Sequence, residues 1–217
     1  MNKTIRITGV GTATAAPDYV QLTLSLETLD KDYATAMERA ATDIQHLTDS
    51  LTAAGLNKDA VKTTAFHVDT DYSSEKDRYG NYHRVFNGYE VRHRLSVRFD
   101  FIPALLATVL TAVANCVAQP ELSVAFTVKD PTAINEQLLT GAATHARRKA
   151  EVLCAAAGVT LGSLVRIDHS WSELDVYSHT EYNLMDKCMA DASAPGFDFQ
   201  PEDIKVSDNV TFEWEIA

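Results

Sequence analysis

The sequence predicts an α+β fold in which three helices cover the faces of mainly antiparallel sheets. Alternation of apolar and polar residues over residues 19–26 and 91–101 is typical of half-buried strands. Apolar residues that recur with a helical period predict helices over residues 31–54, 103–115 and 131–157. Because runs of strands are interrupted by these three helices, the predicted order is β-β-α-β-β-α-β-α-β-β.

The remaining strands follow from the chain in order. Residues 4–12 are rich in Thr, Ile and Val and predict a first strand. Residues 15–18 are predicted to form the turn that leads into the second strand. Further strands are predicted over residues 121–128, 159–167 and 204–216. The second strand is predicted to bury one face, which carries Val20, Leu22, Leu24 and Leu26.

Each helix has a recognisable start, and the third has an unusual face. Asp30 can cap the first helix, Pro103 fits the N1 position of the second, and Asp130-Pro131 caps and opens the third. Gly158 fits the left-handed position after the third helix. Small residues on the third helix predict a smooth face that packs very closely on a sheet: Ala142, Ala146, Ala150 and Cys154 in one row, and Ala143, Ala150 and Ala157 in another.

The strands at residues 66–72 and 91–101 are predicted to form a hairpin around a polar loop with its turn at residues 80–81. Opposite charges on neighbouring strands stabilise such a pairing. The register that follows from this turn places two pairs of side chains together: Asp69 with Arg92, and His67 with Arg94.

Aromatic residues cluster on this polar arm of the chain: Tyr72, Tyr79, Tyr82, Phe86 and Tyr89. Rings surrounded by polar loop residues are hard to bury in the protein's own core, and tyrosine is enriched at interfaces. We therefore predict a homo-oligomer that associates through Tyr79, Tyr82 and Phe86. The alternative is that the loop folds back over its own sheet.

The composition is that of an ordinary globular protein, with 46% hydrophobic and 23% charged residues. A net charge of −11 argues against a nucleic-acid partner. Three scattered cysteines, Cys116, Cys154 and Cys188, indicate neither a disulfide framework nor a zinc site. The apolar residues 102–118 are too short and too interrupted for a membrane span, so no transmembrane segment is predicted.

The N-terminus shows no apolar stretch of signal-peptide length. The chain as written is therefore expected in the cytoplasm, or in the periplasm or envelope if an export signal was removed.

We predict a single domain over residues 1–217 that contains an internal repeat. Residues of the first and third helices line up at a shift of 103 positions: Ala40, Leu47, Leu51, Ala54 and Gly55 with Ala143, Ala150, Cys154, Ala157 and Gly158. Each half is then a strand–helix–strand unit. Residues 173–203, which contain serines, prolines and acidic residues, are predicted to form a long loop.

His67, Asp69 and Asp71 are the sharpest candidates for chemistry. Their spacing places the three side chains on one face of a strand, and histidine with carboxylates can bind a divalent metal. The interpretation we favour is a polar strand face paired with arginines, because no second ligand cluster is evident. We therefore predict no catalytic, cofactor-binding or metal-ligating residue.

Two further features have structural explanations. His93 lies on the apolar face of its strand, which favours a core histidine with one hydrogen bond over a catalytic base. Gly9-x-Gly11 lacks the third glycine and the helix of a dinucleotide-binding motif, and indicates a bulge or a close backbone approach. No nucleophile-elbow, zinc-protease or phosphate-loop motif occurs in the sequence.

Three short motifs, in order along the chain, carry a family resemblance. The N-terminal one has Ile7, Gly9, Gly11, Pro17 and Asp18. The third helix carries A-x-x-K-A-x-x-L-A-x-x-x-G-x-x-L-G as Ala146, Lys149, Ala150, Leu153, Cys154, Gly158, Leu161 and Gly162, with cysteine in place of an alanine. The last has Ile204, Val206 and Val210. Together they resemble the SIMPL-domain (DUF541) family, although the chain has Ala114-Asn115-Cys116 where a glycine usually ends the middle helix.

The resemblance implies a bacterial, non-enzymatic, self-associating protein without a cofactor, linked to envelope functions or oxidative stress. Two alternatives remain open. One is a metal-dependent enzyme that uses His67, Asp69 and Asp71. The other is a protein-binding adaptor.

Overall fold

The structure is a computed structural model that describes residues 3–169, 176–180, 182–183 and 200–217. Cys188 and most of the predicted loop at residues 173–203 lie outside these ranges.

The described residues form three α-helices, a short 3-10 helix (Lys58–Ala60) and eight strands. The helices are α1 (Tyr33–Ala53), α2 (Pro103–Ala114) and α3 (Thr132–Ala157). The strands are β1 (Thr4–Ala15), β2 (Tyr19–Asp30), β3 (Val61–Lys76), β4 (Tyr82–Asp100), β5 (Glu121–Thr127), β6 (Leu161–Asp168), β7 (Tyr182–Asn183) and β8 (Ile204–Ile216). The predicted α+β class and element order are confirmed. The two-residue strand β7 was not predicted, and it falls within residues 173–203.

The helix ends show why these segments fold as they do. Pro103 occupies the first turn of α2, and Gly158 follows α3 with φ 71°, a left-handed conformation that favours glycine. The predicted cap of α1 is wrong by two residues, because Asp32 accepts a hydrogen bond from the Thr35 N–H at 2.9 Å. Asp30 instead accepts one from the Asp32 N–H and so supports the cap.

The chain divides into two compact units, of which the first comprises Met1–Asp18, Thr127–His179 and Pro201–Ala217. Its antiparallel sheet has the strand order β1-β8-β6. β1 and β8 pair without interruption along their length, whereas β6 pairs with β8 through two irregularities. Helix α3 packs on β1 and β8 of this sheet. The predicted row Ala142, Ala146, Ala150 and Cys154 is buried, whereas Ala157 of the second row is exposed.

The second unit comprises Tyr19–Phe126 and Thr180–Gln200. Its sheet has the order β3-β4-β2-β5-β7, and α1 packs on β2 and β4. The predicted face of β2 forms the centre of its core with α1, α2 and β5: Val20, Leu22, Leu24, Leu26, Leu47, Leu51, Leu106 and Phe126. Along β4 the buried face continues to residue 91, and beyond it the hairpin extends past this core.

Among the described residues, every helix is too short or too polar to cross a membrane. The single domain over residues 1–217, its internal repeat and the loop over residues 173–203 stay predictions.

Candidate functional site

The β3–β4 hairpin ends in a well-defined turn. Asp77 accepts hydrogen bonds from the N–H groups of Tyr79 at 2.8 Å and Asn81 at 2.9 Å, and Gly80 has φ 88°. These hydrogen bonds lower the pKa of Asp77, and the one from the Asn81 N–H has the largest effect. The carboxylate of Asp77 therefore stays charged, and keeps accepting these bonds, well below neutral pH. We refer to residues 72–89 as the hairpin tip.

Two rings of the hairpin tip are far more exposed than the others. Tyr79 is 80% exposed and Tyr82 is 68% exposed. Phe86, in contrast, packs edge-to-face between Tyr72, with ring centroids 5.5 Å apart, and Tyr89, at 5.4 Å. Tyr89 in turn contacts Tyr33 of α1. The ring contacts thus run from Phe86 through Tyr89 to α1, and Tyr79 and Tyr82 are left as the most exposed rings of the hairpin tip.

Basic side chains lie over the rings of the hairpin tip. The Arg84 guanidinium lies 4.3 Å from the centroid of the Tyr72 ring, and the Lys76 Nζ lies 5.0 Å from that of Tyr82. Residues 72–89 carry three Lys or Arg and two Asp or Glu, a net charge of +1 in a chain of −11. This basic character of the hairpin tip was not predicted, although the charged residues can be counted in the sequence.

The predicted hairpin register is wrong by two residues. His67 lies opposite Arg92, and Asp69 lies opposite Glu90. The physical reason is that the turn is centred on residue 79 instead of residues 80–81. This turn alone would displace the register by three residues, and an extra residue at Asn87 of β4, where the pairing shifts, brings it back by one.

The structure does not bring His67, Asp69 and Asp71 together as a metal site. Asp71 accepts a hydrogen bond from the Asn87 Nδ2 at 2.9 Å. In the part of the chain that the structure describes, no three His, Cys, Asp or Glu side chains are arranged to hold a metal ion. Of the predicted pairing of this strand face with arginines, the register keeps only His67 opposite Arg92, since Asp69 lies opposite Glu90.

A polar cleft of about 440 Å³ lies beside this strand face, and Glu27, His67, Arg92, Arg94 and Glu121 are among its lining residues. A hydrogen bond with the Glu90 side chain is the main cause that raises the pKa of Glu27, followed by burial and by the charge of Glu90. Both signs of charge line the cleft, so its electrostatics select no class of charged ligand.

His93 lies on the face of β4 that packs against the core. Its Nε2 is 2.8 Å from the Thr63 hydroxyl oxygen, and burial lowers its pKa. The buried Nδ1 has no hydrogen-bond partner among the described residues. His93 thus makes one side-chain hydrogen bond, as predicted for a core histidine.

The closest packing in the first unit lies between β1 and α3. A Cβ atom at Gly9 would overlap the carbonyl oxygen of Ala142, and one at Gly11 would overlap that of Leu138. The predicted role of Gly9-x-Gly11 as a close backbone approach is thus confirmed. Lys149 reaches the edge of β1, where its Nζ donates a hydrogen bond to the Thr8 carbonyl at 3.0 Å.

His145 contacts the same edge. Its Nδ1 lies 3.1 Å from the Val10 nitrogen and 3.2 Å from the Val10 oxygen. An unprotonated Nδ1 accepts from the Val10 N–H, and a protonated one donates to the Val10 carbonyl. Either tautomer therefore satisfies a polar group on the edge of β1.

A comparison with protein families identifies the family of this chain. The family model described as SIMPL, a protein of unknown function (DUF541), matches residues 5–214. The chain belongs to the SIMPL family. Comparison with curated proteins returned no match.

The contacts give physical roles to the SIMPL motifs of this chain. Gly9 and Gly11 admit the backbone of α3, and the buried alanines of α3 keep that distance short. Asp18 joins distant segments, because its carboxylate accepts a hydrogen bond from the Lys129 N–H at 2.8 Å. In this SIMPL chain these motif residues thus build the packing of one helix on one sheet.

Replacing Lys149 with methionine is expected to lower the free energy of unfolding by about 0.5–1.5 kcal/mol, because the Thr8 carbonyl loses its charged donor. Arg148→Met is the matched control, since it removes a neighbouring charge from the same exposed helix. Urea unfolding measures both variants. Equal midpoints for the two would show that the hydrogen bond contributes nothing.

Proposed function

We propose that this SIMPL protein is a non-enzymatic, self-associating protein whose copies meet through the hairpin tip. The observation that carries the proposal is the exposure of Tyr79 and Tyr82 on an arm that Phe86 anchors. Links to the envelope or to oxidative stress belong to the proposal on the strength of the family resemblance.

Three physical arguments support the hairpin tip as the contact. Exposed tyrosines bury a large ring at little cost in conformational entropy, and their hydroxyl groups can stay solvated at the rim of an interface. The turn at Asp77 holds the tip in one conformation, so little ordering is needed on binding. The net charge of +1 on the tip lets it approach the acidic remainder of another copy without repulsion.

The test is the double substitution Tyr79→Ser/Tyr82→Ser, measured by light scattering at micromolar concentration. Truncation of an interface aromatic costs about 2 kcal/mol, roughly a 30-fold rise in Kd for each ring. We expect a smaller particle than the wild type, with an unchanged far-UV circular dichroism spectrum. Phe86 stays intact, because its loss would loosen the arm itself.

Tyr79→Phe/Tyr82→Phe is the matched control, since it keeps both rings and should keep the particle size. A wild type that is monomeric at this concentration contradicts the proposal of self-association. An assembled wild type whose size the serine variant leaves unchanged contradicts the assignment to the tip. A protein-binding adaptor would use the same rings and would show the first of these outcomes.

A further inference from the structure

The two edges of the sheet in the first unit are unlike each other. The edge of β1 is occupied by side chains of α3, where Lys149 and His145 bind the backbone of Thr8 and Val10. Along β6, β8 is the only strand that pairs with it within the described residues. An edge with unpaired N–H and C=O groups is a template for pairing with another chain.

The β6 edge also carries apolar side chains that α3 does not cover. Leu164 and Ile167 lie opposite Trp214 and Phe212 of β8 and therefore share their face of the sheet. Trp214 and Phe212 are 7% and 6% exposed, whereas Leu164 and Ile167 are 47% and 55% exposed. Leu161, at the start of β6, still packs against the cluster that α3 forms with β8, whereas the apolar face stays uncovered at Leu164 and Ile167.

The charges that flank Ile167 are self-complementary. Arg166 and Asp168 precede and follow it, and both lie on the opposite face of the sheet. If a second β6 pairs antiparallel around a twofold axis at Ile167, each Arg166 comes to lie opposite the partner subunit's Asp168. An axis at Arg166 or at Asp168 would instead oppose like charges.

We propose that β6 pairs with β6 of a second copy of this chain, antiparallel and centred on Ile167. The two three-stranded sheets then form one six-stranded sheet, and the Ile167 side chains of the two copies lie against each other at the axis. The register shift between Leu164 and Arg166 limits the regular ladder, so the Ile167 contact and the two flanking charge pairs supply much of the interface. This inference does not rest on the hairpin tip.

Oxidative cross-linking tests the register. In the proposed dimer the Cβ atoms at position 167 are about 4.5–5.5 Å apart, near the separation of a disulfide. In the same dimer the two copies of residue 165 are four residues apart along the paired strands, a distance of roughly 13 Å. Ile167→Cys and Val165→Cys are made in a Cys188→Ser background, in which the remaining Cys116 and Cys154 are buried. Both target positions are exposed, so neither substitution disturbs a core.

We expect a covalent dimer from Ile167→Cys after oxidation, and none from Val165→Cys. Cross-linking of both, of neither, or of Val165→Cys alone overturns the proposal. The experiment is repeated with Tyr79→Ser/Tyr82→Ser added, and the covalent dimer is expected to persist. Failure of the hairpin tip as an interface is therefore distinguishable from failure of this one.

A charge exchange between copies provides an independent test of the same pairing. Arg166→Asp alone opposes two acidic residues across the axis, and Asp168→Arg alone opposes two basic ones. When the two variants are mixed, both cross-strand pairs become complementary again. Each variant also carries Ile167→Cys, and we expect little covalent dimer from either alone and recovery on mixing.

Each substitution alters ion pairs of Asp168 within its own chain, with Arg6 and Arg166, but these changes are the same before and after mixing. Recovery therefore reports on the contact between copies. Equal yields before and after mixing overturn the proposed register.

Discussion

Gly11→Ala is expected to lower the free energy of unfolding by about 3 kcal/mol or more, the upper end of the cost of overpacking. The added Cβ would lie 2.6 Å from the carbonyl carbon of Leu138 and would overlap its oxygen. These are backbone atoms of α3, so no rotation of a side chain relieves the clash. The helix and β1 must separate, which loosens the packing of every small residue along the seam.

Thermal unfolding measures this effect. For a chain of this size, 3 kcal/mol corresponds to a fall in Tm of about 6–12 °C. Thr12→Ala is the matched control, because Thr12 is the next residue of β1 and is exposed on the other face. Its expected effect is within about 0.5 kcal/mol. Equal Tm values for the two variants would contradict the close approach of α3.

The double variant Gly9→Ala/Gly11→Ala sharpens this prediction. Both glycines face the same helix, and the first substitution already forces the helix away. The second should therefore cost less than it does alone, because neighbouring sites are not additive. Fully additive losses would indicate two independent local clashes.

Ala150→Leu is expected to lower the free energy of unfolding by about 1–3 kcal/mol. Ala150 is fully buried and packs in a cluster with Val210, Phe212 and Trp214 of β8. Leucine would have to displace these large side chains or lift α3 from the sheet. The urea midpoint should fall while the dependence of the free energy on urea stays the same.

Ala157→Leu is the matched control for this substitution. Ala157 lies one heptad further along the same helix and is exposed, so leucine there should be nearly neutral. An unchanged midpoint for Ala150→Leu would mean that the sheet yields freely beneath α3. A loss as large at Ala157 as at Ala150 would point to a general intolerance of leucine in the helix.

Local patterns determined the elements of this protein. The alternation of Val20, Leu22, Leu24 and Leu26 and the helical rows depend on periods that any strand or helix must show. The α+β class, the element order and the start of α2 could therefore be predicted, whereas α3 begins one residue later than expected, with Pro131 instead of Asp130 at its N-cap. The cap of α1 was misplaced because Asp30 and Asp32 are chemically equivalent, and the structure uses both.

Part of the candidate site could also be predicted. Tyr79 and Tyr82 were identified as residues of an exposed arm because they stand among polar neighbours. The role of Phe86 as an anchor could not be predicted, since it depends on Tyr72 across the hairpin and on Tyr89. The hairpin register was missed because Asp77 closes a turn centred on residue 79, which displaces every pair along the two strands.

Tertiary structure alone decided which surfaces are covered. By sequence, β6 and the apolar stretches of the core strands look alike, since both carry Leu, Val and Ile. Helix α3 reaches β1 and β8, so Leu164 and Ile167 stay exposed while Phe212 and Trp214 are buried. Burial depends on where a helix lies across a sheet, a property of contacts distant in the chain that periodicity along one segment does not encode.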